Sequence, residues 1–408
     1  MIGKAILLLS MGLLGMSESA SALAAGQRVA LWSPAMAPGG PALDDQTVRM
    51  TVHPSVAGSQ LRIHLSNRYG DQPLTLGAVT IALQERDSSA TKGSMRAVTV
   101  GRAKSITIAA GEDIVSDPVD LSVAAGQNLL VSIYIRHAGG GSTWHGDAFD
   151  TTYLMPGGSG DHAAEITMPA GRKTSTSWYV LSGVDAVSTV PGTVVAFGDS
   201  ITDGYNTPKG AYARWPDFLA RRLAASNMPM AVVDAGISGN RVLNRVHGDA
   251  SGVSALDRFA HDALEQPGVG AVILMEGIND IGNNAGPDGK PLTSHALIEA
   301  YRQIIRQAHA HGVRILGGTI LPDEGAGYYS RAGEAIRVAC NQWIRESGAF
   351  DGVVDFDSAI RDPSHPGRMR SVYDSGDHLH PNAAGMQAMA NAIDLKLLRR
   401  SVSQPIRY

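Results

Sequence analysis

The hydrophobic periodicity of the chain changes at Pro191, and this change restricts the fold more than any other feature. From Gln46 to Val190 the period is two. Val48, Met50 and Val52 alternate with Thr47, Arg49 and Thr51, and Leu61, Ile63 and Leu65 alternate with Arg62, His64 and Ser66. Further short runs at 74–83, 105–109, 129–135 and 177–181 are separated by Gly, Asp, Asn and Pro clusters. Successive side chains of a strand point to opposite faces, so the pattern predicts antiparallel sheets with one face in the core and one in water. Residues 26–190 therefore read as a β-sandwich of jelly-roll type.

Beyond Pro191 the apolar runs are continuous: 194–197, 231–233, 271–275, 314–316 and 353–354. Runs without alternation fit strands buried on both faces, as a parallel sheet with helices on both sides requires. Helix-period stretches lie between them. Over 294–311, Leu297, Tyr301, Ile304, Ile305 and Ala308 share a face, and Gly312 can close the helix. Pro216 opens another helix, with Trp215, Phe218, Leu219 and Leu223 on one side. A closing helix is expected from Pro381 to about Arg399, carrying Met386, Met389, Ile393 and Leu397. Residues 191–408 thus read as a three-layer α/β domain.

Residues 1–25 read as a signal peptide rather than part of the fold. Lys4 precedes an apolar run at 5–14 that is too short for a bilayer of roughly 30 Å, and Ala22-Leu23-Ala24 matches an A-x-A cleavage pattern. No later stretch approaches a membrane span, so an exported chain without a stable membrane anchor is expected. With 34 Lys+Arg against 38 Asp+Glu the formal charge is −4, and no basic run occurs, which argues against a nucleic-acid partner. The single cysteine, Cys340, excludes an internal disulfide and reads as a small buried hydrophobe.

Open parallel sheets place their sites beyond the carboxyl ends of the strands. Four polar clusters fall at such ends or at a helix start: GDSITDG at 198–204, GISGN at 236–240, GIND at 277–280 and DHLH at 377–380. Each has an ordinary structural explanation when taken singly. Ser200 could be a helix N-cap, Gly239 a turn glycine, Asn279 a loop-capping amide, and Asp377 with His380 a surface turn. Their joint occurrence at successive strand ends, in this order, is not explained that way.

The ordered set resembles the GDSL/SGNH hydrolase family of esterases and lipases over roughly residues 194–398. The resemblance implies a flavodoxin-like three-layer domain and a serine esterase that uses no cofactor and no metal. It assigns Ser200 as nucleophile, His380 as base and Asp377 as its orienting acid. Oxyanion donors would be the backbone N–H groups of Ser200 and Gly239 and the side-chain amide of Asn279. Elementary chemistry agrees, since an ester carbonyl needs a nucleophile, a proton acceptor and donors for the developing oxyanion. The three-residue spacing of Asp377 and His380 lets one turn bring the pair together, whereas the adjacent His378 should diverge. Pro381 fits the first position of the closing helix, where it would hold His380 at the entrance. Asp199 is expected to bond loop amides, and His247 and His365 receive no role. A metal site from Asp377, His378 and His380 is only a weak motif.

A sandwich ahead of the hydrolase resembles secreted carbohydrate esterases such as acetyl xylan esterases. Small-molecule or polysaccharide esters with short acyl groups, acetyl above all, are therefore the expected partners. The alternatives are a lipase or thioesterase for longer chains, or a non-catalytic glycan-binding protein. Loops 283–291 and 322–330 are expected to rim the pocket, with Tyr328 and Tyr329 offering rings to a sugar. The N-terminal half, whose His145, Asp147 and His162 show no recognisable spacing, is expected to bind or shape substrate rather than carry reacting groups.

Overall fold

The structure, a computed structural model, describes residues 26–244 and 251–399. The leader segment and His247 lie outside the described residues. Two antiparallel sheets form the N-terminal part. One has the strand order 27–32, 181–188, 59–66, 113–115; the other runs 173–175, 152–154, 46–52, 129–137, 74–86, 89–90, with 96–98 and 106–108 also paired to 74–86. Leu61, Ile63 and Leu65 from one sheet and Val48, Met50, Val131 and Ile133 from the other share a single buried core, which makes the pair a sandwich.

The alternation within strand 46–52 does not produce a wet face. Thr47, Arg49 and Thr51 are as buried as their apolar neighbours. The segment around 160–166 lies over them: Arg49 donates to the carbonyls of Ser88 (2.6 Å) and Glu165 (2.6 Å) and to Ser132 Oγ (2.7 Å), and Thr47 Oγ1 donates to Gly160 O. A guanidinium can be buried only when its donors are met, and burial still pulls Arg49 down to about 10. The expected strand at 177–181 is also divided. Val180 adopts φ +64°, so Trp178–Tyr179 pairs with Trp144–His145 while Leu181–Ser188 joins the sandwich.

The C-terminal part has five parallel strands in the order 231–236, 193–198, 269–275, 314–318, 352–354. With helices packed against it, this is the flavodoxin-like order 2-1-3-4-5, whose switch point lies beside the first strand. Helix Ser294–Ala310 is capped by Thr293, buries the five expected residues, and stops before Gly312 at φ +66°. The closing helix is shorter than expected, Ala383–Ala392. Asn382, not Pro381, caps it by accepting from the Ala384 and Gly385 N–H groups, and Ile393 leaves helical geometry before a 3₁₀ turn at Leu395–Leu398 that Asp394 caps. Cys340 is fully buried, and burial pushes its thiol up to about 12.

The two parts meet along a continuous seam. Ala30 N–H donates to Pro267 O (3.0 Å), and Val232 N–H to Ser55 Oγ (3.0 Å). His261 lies 3.0 Å from Asp113, and His53 stacks on Tyr212 with centroids 3.6 Å apart. Beside these rings a cleft of about 290 Å³ opens between the parts, lined by Trp32, His53, Asp150, Tyr212, Arg214 and Asp234. No helix among the described residues is long and apolar enough to cross a membrane.

Candidate active site

Ser200 stands two residues beyond the first parallel strand, at the start of a single helical turn, Ser200–Asp203. The N-cap of that turn is Asp199, whose carboxylate accepts from Ile201 N–H at 2.9 Å, as the sequence suggested. Ser200 is thereby free of capping and its Oγ lies 2.8 Å from His380 Nε2. His380 Nδ1 lies 2.7 Å from Asp377 Oδ2.

Asp377 is held by its own turn. Oδ1 accepts from the N–H groups of Leu379 (3.0 Å) and His380 (2.8 Å), and Oδ2 also accepts from Asn206 Nδ2 (2.9 Å). Burial opposes ionisation here, but the His380 and Leu379 amides and the imidazole outweigh it and hold the carboxyl below its usual range. His378 turns away as expected. Its backbone is left-handed (φ +63°), its Nδ1 meets Asp374 at 2.6 Å, and half of its side chain is in solvent. Asp377, His378 and His380 therefore do not converge. Among the described residues no group of three or more His, Cys, Asp or Glu is placed to hold a metal ion.

Gly239 closes the loop after the neighbouring strand 231–236. Its φ of +78° favours glycine, and a Cβ there would stand 2.6 Å from Ser251 Oγ. Among the described residues, neither the Ser200 nor the Gly239 N–H donates to a protein acceptor. Asn279 sits in the short helix after the central strand 269–275; one N–H of its amide donates to Asn240 O at 2.9 Å. A second amide hydrogen remains for a ligand. The first and last clusters thus meet in the Ser200–His380–Asp377 hydrogen-bond chain, and the second and third meet where Asn279 donates to Asn240 O.

Several supporting residues were not legible in the sequence. Arg258, 2% exposed, donates to Gly198 O and Ala235 O (2.8 Å each) and to Asn240 Oδ1 (2.8 Å), so it ties together the ends of the first two strands. Its guanidinium lies 4.0 Å over the Phe197 ring and 3.7 Å from Glu276. Burial, with Asp199 nearby, raises the Glu276 carboxyl well above its ordinary range. Tyr205 packs on His380 with centroids 4.6 Å apart, and Phe149 from the sandwich packs edge-on against Tyr205 at 6.1 Å. Phe149 has a left-handed backbone (φ +48°), and its carbonyl accepts from Gly210 N–H. Nothing in the sequence pattern pointed to this wall.

The two tyrosines of loop 322–330 part company. Tyr328 lies across Gly282, where a Cβ would stand 1.7 Å from its ring, and its hydroxyl donates to Asn279 Oδ1 at 3.3 Å. That contact orients the Asn279 amide rather than presenting a free ring to a sugar. Tyr329 makes no ring contact with another aromatic among the described residues and stays partly open.

An open 2-1-3-4-5 sheet with a hydrogen-bonded serine, histidine and acid beyond its strand ends defines a flavodoxin-like α/β domain. Residues 196–388 match the GDSL-like Lipase/Acylhydrolase family, and this part of the chain is a domain of that family. Among solved structures, the chain is similar to an acetylxylan esterase from Geobacillus stearothermophilus (20% identity, 52% of this chain and 96% of that one, TM-score 0.38). It is similar also to a GDSL-like lipase from Bacteroides thetaiotaomicron VPI-5482 (19%, 51% and 88%, TM-score 0.37). A third is the aryl esterase of M. smegmatis (16%, 49% and 95%, TM-score 0.40). No curated protein matches the chain.

Proposed function

We propose that the protein is an exported serine esterase that hydrolyses short-chain carboxylic esters, above all acetyl esters on carbohydrates. The observation that carries this reading is the unbroken hydrogen-bond chain from Ser200 Oγ through both imidazole nitrogens to Asp377, at 2.8 and 2.7 Å. His380 Nδ1–H donates to the carboxylate, which leaves Nε2 free to accept the Ser200 proton. Ser200 Oγ attacks the ester carbonyl, and the oxyanion is met by the N–H groups of Ser200 and Gly239 and the amide of Asn279. Collapse expels the alcohol, which takes the proton from His380, and leaves an acyl-Ser200 ester. Water then attacks, giving its proton to His380, and the carboxylic acid departs as Ser200 recovers its hydrogen. The nucleophile, the base, the orienting acid and the oxyanion donors of this sequence all belong to the chain.

The polar loops 283–291 and 322–330 support a hydrophilic alcohol over a lipid. The test is a chain-length series from acetyl to palmitoyl esters, run beside acetylated xylan, with Ser200→Ala as control. Fastest turnover on acetyl esters, lost in Ser200→Ala, is expected. A maximum at octanoyl or longer would make the protein a lipase or thioesterase, and no turnover on any ester would favour a glycan-binding protein.

A further inference from the structure

We infer that the N-terminal sandwich helps to build the oxyanion site of the hydrolase domain, with His145 as a positioning residue that acts through Asp203 on the Ser238–Gly239 turn. This inference rests on the reading of Gly239 as an oxyanion donor.

The connection is short and buried. His145 sits on the small ribbon Trp144–His145, paired with Trp178–Tyr179, and its ring packs against Trp178 at 5.3 Å. Nδ1 lies 2.8 Å from Ala35 O and Nε2 lies 3.1 Å from Asp203 Oδ1, with both side chains at most 3% exposed. A carbonyl and a carboxylate oxygen are both acceptors, so each ring nitrogen serves best as a donor and the ring as a cation. Desolvation opposes that charge, but Asp203 and Ala35 O outweigh it and raise the imidazole above its ordinary value.

The second carboxylate oxygen of Asp203 accepts from Ser238 N–H (3.1 Å) and Ser238 Oγ (3.0 Å). Ser238 immediately precedes Gly239. Asp203 is therefore a clamp with one jaw on the sandwich and one on the turn that aims the Gly239 N–H. It is anchored from below as well, because Gly236 lies so close that a Cβ would stand 2.3 Å from Asp203 N. Without His145, a buried carboxylate would lose the partner that fixes its rotamer, and the turn would lose its register with the oxyanion. Displacement of a positioned group by roughly 1 Å can cost on the order of 10²-fold in rate.

The test is steady-state kinetics of the full chain on a small chromogenic acetyl ester with His145→Asn, His145→Gln and Asn279→Ala. An Asn amide reaches the place of Nδ1 and keeps the bond to Ala35; a Gln amide reaches the place of Nε2 and keeps the bond to Asp203. We expect His145→Asn to lower kcat by roughly 10–10²-fold with KM little changed, because the oxyanion forms only in the transition state. His145→Gln should restore most of that loss. A purely structural role would move both variants alike, whatever their melting temperatures, and equal kcat values for Asn and Gln would overturn the inference. Normal kcat in His145→Asn beside a slow Asn279→Ala would remove the sandwich from the oxyanion site while leaving the site itself. Normal kcat in Asn279→Ala would remove the oxyanion reading on which the inference stands.

Discussion

The turn from Asp374 to Asn382, which carries the proposed base, and the turn from Gly236 to Asn240, which carries a proposed oxyanion donor, are held in different ways. In the first, Asp377 bonds His380 three residues on, Asp374 bonds His378 four residues on, and Asn382 reaches back eight residues to Asp374 O. Asn206 is the main contribution from elsewhere. The second turn depends on distant chain: Asp203 on Ser238, Arg258 on Asn240, Asn279 on Asn240 O, and His145 behind Asp203. A base and its orienting acid can be encoded in one local motif. An oxyanion site, assembled from backbone N–H groups of two strand ends, has to be registered by the tertiary structure.

Substitutions can break this contrast, beginning with the local turn. His380→Ala should lower kcat by on the order of 10⁴-fold or more, the scale of losing a triad member, whereas His378→Ala should stay within a few-fold. Kinetics on a small acetyl ester checks both. A dead His378→Ala beside an active His380→Ala would reverse the assignment.

On the distributed side the losses should be smaller. Asn279→Ala should lower kcat by roughly 10²–10³-fold, the usual effect of removing one oxyanion donor, with KM little changed. Tyr328→Phe removes only the hydroxyl that orients the Asn279 amide, and a kcat loss of about 3–10-fold is expected, since a neutral hydrogen bond contributes about 1 kcal/mol. A Tyr328→Phe enzyme slower than Asn279→Ala would contradict that order.

The mildest prediction concerns the seam. Burial pulls the His261 imidazole down, but hydrogen bonds to Asp113 and Asp262 outweigh it and lift it to about 10. A raised histidine contributes stability that is fully present below its unfolded value near 6.5 and lost as pH rises through about 10. The buried Asp280 carboxyl, raised to about 6 by desolvation, loses its own contribution earlier, as pH rises through that value. Thermal melts should therefore show the melting temperature declining between pH 7 and 10, and the decline should flatten in His261→Gln. An unchanged slope in that variant would detach His261 from the alkaline loss.

The same contrast explains what could be read from the sequence. The five buried runs after Pro191 gave the parallel strands, because a strand covered on both faces has no polar alternation to disguise it. Asp377 and His380 were legible because the turn that unites them lies within one motif. Arg49 was misjudged as solvent-facing: its burial depends on the segment around 160–166, more than a hundred residues away. The pairing of His145 with Asp203 was equally hidden, since a lone histidine in a Gly-rich loop shows nothing about the strand end it will meet. Pro381 was placed two positions too far into the final helix because Asn382, a better cap, follows it.

The central claim is that Ser200, activated by His380, is the acyl acceptor. Reaction of the full chain with a fluorophosphonate, followed by peptide mass mapping, tests it directly. One adduct is expected, on the peptide containing Ser200, formed quickly in the native protein and very slowly in His380→Ala. An adduct on another serine, or undiminished ester turnover by Ser200→Ala, would contradict it.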